Sequence, residues 1–271
     1  GIVTINNCEI VRNMAIGSSN ANCGDYGGWS FAGGGIYCTY GNFNILNCTI
    51  ADNITDGIGG GVYCGGYDTN VMVKNSIVWN NISCDGSELR LGGFERSVLQ
   101  ISYSDIKAGL SGIFVGEDGT FVWGPGNIDS DPLFVNSFDD NYRLSISSAC
   151  IDAGTNAGVH DDIEGNIRPS DFPGVDNNGI QPEFDIGAHE AVASEVDLRI
   201  TPKRINRRRG HRDIKVTVEL TKYEAEHIDG EFILFPGAIV AKQQEVQDGE
   251  CKVKVIAYFD RNKLLEAIPY N

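Results

Sequence analysis

Methionine is nearly missing from this 271-residue chain, with 2 copies, and histidine has only 4. No apolar run approaches the ~20 residues that a membrane-spanning helix requires. No apolar positions recur at the 3.6-residue helical spacing. Gly1 is preceded by neither an initiator Met nor a cleavable signal region, so the chain reads as a mature protein or a fragment. Positive charge is scarce as well: 21 Lys and Arg face 37 Asp and Glu, for a net charge of −16. The deficit is confined to one part. Residues 1–194 hold 7 basic against 24 acidic groups (−17), and residues 195–271 hold 14 against 13 (+1). Such an acidic surface repels nucleic acid and polyanionic sugars unless a cation intervenes. The break, near Ala191 to Glu195, divides the chain into a first domain over 1–192 and a second over 193–271.

What is abundant is glycine, 34 residues, together with Asn, Ile and Val, a composition suited to a turn-rich all-β protein. The phrase TINNCEIVRN (4–13) returns as NILNCTIADN (44–53) and as VMVKNSIVWNN (71–81). With Asn7, Asn47 and Asn75 aligned, the intervals are 40 and 28 residues, and a further 28 reaches Tyr103. Columns then fill consistently: Val3, Phe43, Val71, Leu99; Ile5, Ile45, Val73, Ile101; Cys8, Cys48, Ser76, Ser104; Ile10, Ile50, Val78, Ile106. Asn13, Asn53 and Asn81 keep register, and GGGIYC (33–38) recurs as GGGVYC (59–64). Alternating β-branched residues identify strands, and a repeat near 28 residues is one coil of a parallel β-solenoid. Equivalent side chains then stack ~4.8 Å apart, and the Asn amides are expected to hydrogen-bond along their columns.

These coils resemble the right-handed parallel β-helix of the pectate-lyase-like superfamily. The ordered set GNIDSDPLFVN (126–136), NYRLSISSACIDAGTN (141–156), DIEGNIRPS (162–170) and DIGAHE (185–190) resembles the end of the β-helix in secreted and surface-anchored bacterial proteins of the choice-of-anchor type. The resemblance covers roughly residues 1–190 and implies an extracellular or cell-surface location.

Enzymes of that superfamily need a cation and a Lys or Arg base, or clustered Asp with His and Arg helpers. Residues 1–125 offer only Arg12, Lys74, Arg90, Arg96 and Lys107 as basic groups, with no His and no Gly-His-Gly. No catalytic residue is assigned on this basis. The first coil carries 14 extra residues within AIGSSNANCGDYGGWSFA, where Asp25, Tyr26, Trp29 and Phe31 could form a sugar-stacking platform. The competing reading folds that loop over the solenoid wall with its aromatics buried. Dense acids between 126 and 190, Asp162, Asp176 and Asp185 among them, suit Ca²⁺ as hard oxygen ligands, although none follows the EF-hand loop pattern. A solvated acidic surface explains them equally. Zinc is not expected, because His160, His189, His211 and His227 are scattered and none pairs with Cys at ligand spacing. Among the cysteines, Cys8 with Cys48 and Cys38 with Cys64 read as buried thiol columns; Cys23 and Cys84, both in turns, are the pair most able to bridge.

Beyond residue 195 the repeat stops. VDLRIT, DIKVTVEL and CKVKVIAYF alternate as antiparallel strands of a small β-sandwich, and Asp260 is placed to cap a short helix. The module is expected to be incomplete at Asn271. The one basic cluster, Lys203, Arg204, Arg207, Arg208, Arg209 and Arg212, suits a solvated hairpin, an anionic polysaccharide, a lipid headgroup or the acidic solenoid of another copy. It lacks the aromatic residues and recognition helix of a nucleic-acid binder. The sequence thus points to a structural or adhesive β-solenoid at the cell surface. Two alternatives stay open: a polysaccharide lyase or glycoside hydrolase whose catalytic coils lie outside these residues, and a carbohydrate-binding module.

Overall fold

A computed structural model describes residues 1–16, 33–92, 96–172, 183–192, 197–201, 213–221, 233–234, 239–248 and 252–263. The chain forms two compact units, Gly1–Ala193 and Ser194–Asn271.

The first unit is a parallel β-solenoid with three main walls. The first wall stacks Ile2–Asn6, Asn42–Leu46, Asn70–Lys74, Val98–Ser102 and Thr120–Trp123. Glu9–Val11, Thr49–Ala51, Ile77–Trp79 and Asp105–Ile106 form the second, and Ile36–Thr39, Val62–Gly65, Leu89–Leu91 and Ile113–Val115 the third. A short pair, Met14–Ala15 on Ile54–Thr55, bridges the second and third walls. The register is the one expected from the repeat: Val3 on Phe43 on Val71 on Leu99, and Ile5 on Ile45 on Val73 on Ile101. The first column runs on to Phe121 and the second to Trp123. Ile45, Ile50, Leu89, Leu91, Leu99, Ile101 and Ile106 are sealed inside, each such burial stabilising by roughly 1.5–3 kcal/mol.

The corners explain the non-aliphatic columns. Asn7, Asn47, Asn75 and Tyr103 all take left-handed φ, 48° to 50°, and turn the chain from first wall to second. Arg12, Asp52, Asn80 and Ala108 repeat this at the end of the second wall with φ of 56° to 62°. Tyr40, Asp68 and Arg96 do so before the first wall of the next coil, at 54° to 62°. Asn and Asp recur here because their short polar side chains tolerate a conformation that costs other L-residues about 1–2 kcal/mol. Just past the first corner, Cys8, Cys48, Ser76 and Ser104 each direct their S–H or O–H to the carbonyl two residues back, at 2.9–3.2 Å. Thiol and hydroxyl exchange in this column because each makes the same bond.

Asn13, Asn53 and Asn81 form the expected amide ladder. Asn13 Nδ2 donates to Asn53 Oδ1 at 2.8 Å, and Asn53 Nδ2 to Asn81 Oδ1 at 2.9 Å. The same amides donate back to the second wall, Asn53 to the Ile10 carbonyl and Asn81 to that of Ile50. Asn81 Nδ2 then reaches Glu88 Oε2 at 2.7 Å, so a buried carboxyl ends the ladder. Burial pushes that carboxyl up to about 7. Glycine is required alongside: a Cβ on Gly60 would lie 2.4 Å from the Ser87 carbonyl, and one on Gly61 2.5 Å from that of Glu88. Cys38 stacks on Cys64, and both are free thiols, as are Cys8, Cys48 and Cys150.

After the last coil, Phe134–Asn136 pairs antiparallel with Asn141–Leu144. The chain then returns as a strap across the outside of the second wall.

The second unit has a four-stranded antiparallel sheet in the order Asp197–Thr201, Ile214–Thr221, Lys252–Phe259, Gln243–Asp248, with a separate pair, Ile233–Leu234 on Ile239–Val240. Ile214, Val216, Val218, Val255, Ala257 and Phe259 are buried, as the alternation predicts. Ile256, on the opposite face of its strand, is buried too, so the central strand is covered on both sides. Asp260 caps the following helical turn, its Oδ1 accepting from the backbone N–H groups of Asn262 (2.7 Å) and Lys263 (3.2 Å).

Candidate functional site

The strap gathers most of the buried chemistry. Its base is the outward column of the second wall, Glu9, Thr49, Ile77 and Asp105, four residues in direct register. DIGAHE lies across the first three, running from one coil to the next. Ile186 packs on Ile77, the Ala188 N–H donates to Thr49 Oγ1 at 3.1 Å, and His189 Nε2 meets Glu9 Oε1 at 2.5 Å. At the fourth coil the buried Cys150 thiol donates to Asp105 Oδ2 at 3.2 Å, and burial pushes the Asp105 carboxyl up to about 7.

Side chains of the first-wall corner hold the strap edge. Asn75 exchanges bonds with Thr155, donating to its carbonyl and accepting from its N–H at 3.1 Å, while Asn7 Nδ2 donates to the Asp161 carbonyl at 2.7 Å. From the second-wall corner, Asp52 accepts from the Tyr142 hydroxyl at 2.8 Å, and Arg12 donates to Asp140 at 2.7 Å.

Asp162 is the hub of the strap. Its Oδ1 accepts the N–H groups of Glu164 and Asn166 (both 2.8 Å), and its Oδ2 accepts Asn166 Nδ2 (3.0 Å) and the Glu190 N–H (2.9 Å). Burial opposes its charge, but these donors prevail and hold the carboxyl below its usual range. Asp185 is wholly buried, accepting from the N–H groups of Asp152 (2.8 Å) and Ala191 (2.5 Å). Burial and the adjacent Glu190 carboxylate push Asp185 well up. Arg168, fully buried, lies 3.3 Å from Glu190 and donates to the carbonyls of Asp185 (3.2 Å) and Gly187 (2.8 Å).

One cluster has the makings of a cation site. Single ligand atoms of Asp162, Glu164 and His189 lie within 4.8 Å of one another, and together they could chelate a divalent ion. Of the acids expected to bind metal, Asp162 is in this cluster, Asp185 belongs to the separate Arg168–Glu190 network, and Asp176 lies outside the described residues. His189, which spacing alone left isolated, is brought to two carboxylates, Glu9 and Glu164. Glu9 comes from the first coil, some 180 positions away in the chain, so no local motif could announce it.

A groove of about 420 Å³ lies at the second-wall corner, lined by Arg12, Met14, Asp52, Asn80, Ile82 and Phe138. Phe138 is 86 % exposed, with Met14 and Ile82 also more than half exposed. Apolar surface thus borders a row of polar corner side chains: Asn80 Nδ2 donates to Asp52 at 2.5 Å, and Lys107 Nζ to Asn80 Oδ1 at 2.7 Å.

The platform of Asp25, Tyr26, Trp29 and Phe31 lies outside the described residues, as does the basic cluster of Lys203, Arg204, Arg207, Arg208, Arg209 and Arg212. Cys84 is disulfide-bonded; its expected partner, Cys23, is also outside them.

No protein-family model matches the chain, and no curated protein or solved structure is significantly similar to it. The repeating parallel architecture is that of a β-solenoid. Among the described residues, no helix is long and apolar enough to cross a membrane.

Proposed function

We propose that the protein is a non-catalytic structural or adhesive solenoid of the cell surface. The observation that carries this reading is how the strap uses its ionisable groups. Asp162 and Asp185 accept backbone N–H groups, Arg168 binds backbone carbonyls beside Glu190, and His189 joins the first coil at Glu9. Groups that accept from or donate to the backbone in this way are committed to holding chain segments together, and a reacting substrate would have to displace them. The resemblance of the coils to the pectate-lyase-like β-helix, and of the strap motifs to choice-of-anchor surface proteins, supports an extracellular setting. A Cys23–Cys84 disulfide fits that setting. The basic cluster at 203–212 would draw the chain to anionic polysaccharide or to the acidic solenoid of another copy, an association that added salt weakens.

The test is incubation with polyuronates and neutral glycans, with and without Ca²⁺. Absence of new unsaturated or reducing ends is expected; sustained product formation, lost on mutation of a solenoid acid, would replace this reading with the lyase or hydrolase one.

A second reading, glycan contact, is favoured by the groove beneath Phe138. An exposed ring bordering Arg12, Asp52 and Asn80 matches the apolar face and hydroxyl rim of a sugar. Loss of glycan retention after Phe138→Ala, or after Trp29→Ala, would support it; retention unchanged in both would refute it.

A further inference from the structure

The Glu9–His189–Glu164 arrangement contains an unmet electrostatic demand. Glu9 Oε1 lies 2.5 Å from His189 Nε2, and because a carboxylate offers only acceptors, Nε2 is the nitrogen that carries a proton there. With no proton of its own, Nδ1 would offer a lone pair. It is buried and has no hydrogen-bond partner, on a side chain only 10 % exposed. The group it faces is another acceptor, Glu164 Oε2, at 3.9 Å. Two acceptor atoms this close leave room for a positive charge between them.

A proton does not bridge such a gap, since N–H···O bonds close at about 2.7–3.2 Å. A metal does: Zn–N and Zn–O bonds of about 2.0–2.2 Å each span up to ~4.2 Å. The second contact of the imidazole matches as well. Histidines that bind metals donate their other ring N–H to a carboxylate, which fixes ring orientation and raises basicity, and Glu9 does this here. Glu164 is itself oriented by Arg143, whose Nε donates to Oε2 at 3.1 Å and whose Nη2 pairs with Oε1. Asp162 adds negative charge within 4.8 Å, though its oxygens already accept four N–H bonds. The donor set of one imidazole nitrogen with carboxylate oxygens suits Zn²⁺-class ions better than Ca²⁺, which takes six to eight oxygens.

We infer that His189 Nδ1 and Glu164, with Asp162 beside them and Glu9 behind, form a site for a Zn²⁺-class divalent cation on the strap, where His189 meets the first coil. The structural reading above uses only the Nε2 contact to Glu9, and the cation site only Nδ1, so a failure of one leaves the other standing.

The test uses the full chain after chelator treatment. Titration with Zn²⁺ by calorimetry, and with Co²⁺ by visible absorption, is expected to show a site lost on Glu164→Gln and on His189→Gln, and weakened about 10-fold or more by Glu9→Gln. Glu164 is one-third exposed, so its variant keeps the test valid should His189→Gln unfold the strap. In the unaltered chain, long-range ¹H–¹⁵N spectra should show the His189 Nδ1 resonance shift on Zn²⁺ addition. Binding untouched by Glu164→Gln, an unmoved Nδ1 resonance, or Ca²⁺ bound more tightly than Zn²⁺ would each overturn the inference.

Discussion

Replacing Asn53 by Ala should cost far more than the same change at Asn47, although both are fully buried asparagines on one coil. The Asn53 amide accepts from the Asn13 N–H (3.0 Å) and Nδ2 (2.8 Å), and donates to the Ile10 carbonyl (2.7 Å) and to Asn81 Oδ1 (2.9 Å). At about 0.5–1.5 kcal/mol net per bond, and more where a buried partner is stranded, Asn53→Ala should destabilise the solenoid by about 3–4 kcal/mol. Neither polar atom of the Asn47 amide has a partner. Asn47→Ala forfeits only the tolerance of Asn for φ near 49°, roughly 1 kcal/mol, offset in part by removing an unsatisfied amide. Urea unfolding followed by tryptophan fluorescence separates the two. Trp29, Trp79 and Trp123 all lie in the first unit, so the signal reports the solenoid and not the C-terminal sheet. With a slope of about 2–3 kcal/mol per molar urea, the midpoint should fall by more than ~1 M for Asn53→Ala and by less than ~0.5 M for Asn47→Ala. Equal shifts would refute the claim that the amide ladder makes Asn53 worth more than the corner conformation makes Asn47.

Glu88→Gln keeps an oxygen for Asn81 and removes a titration. In the native chain burial pushes Glu88 up to about 7, so between about 4.5 and 7 the folded state holds a proton that the unfolded state has released. This contribution to stability is complete below about 4.5 and is lost as pH rises through 7. Urea midpoints should show the variant gaining on the native chain between pH 5 and 8, and parallel curves would contradict this. Thiol reactivity should be ordered by burial. Cys38 and Cys48, pushed up to about 12 by burial, and Cys64 and Cys150, also raised by burial, should resist a disulfide reagent at pH 8 until denaturant is added, while half-buried Cys8 reacts first.

The walls of the solenoid are legible in the sequence because every coil solves the same packing problem. A column such as Ile5, Ile45, Val73, Ile101 must stay apolar wherever it recurs. The third wall is harder to follow. Gly-Gly-Gly gives way to Gly86-Ser87-Glu88, since Glu88 supplies the carboxyl that ends the amide ladder, and Leu89 and Leu91 continue the wall without the GGG signal. The last strand, Thr120–Trp123, follows Val98–Ser102 after 22 residues and not 28, so a fixed period steps over it. The strap is the least legible part. The four motifs mark its existence, but its partners are single residues on four different coils, and neither Glu9 with His189 nor Arg168 with Glu190 has a spacing that advertises their meeting.

A pure stack of coils is held by nearest neighbours, so it frays one repeat at a time from whichever end is weaker. The strap changes that topology. It contacts Glu9 and Asn7 on one coil, Thr49 on the next, Asn75 and Ile77 on the third and Asp105 on the fourth. Like a spine stitched across the pages of a book, it ties repeats that never touch each other, and amide exchange across all four coils should therefore open as one event.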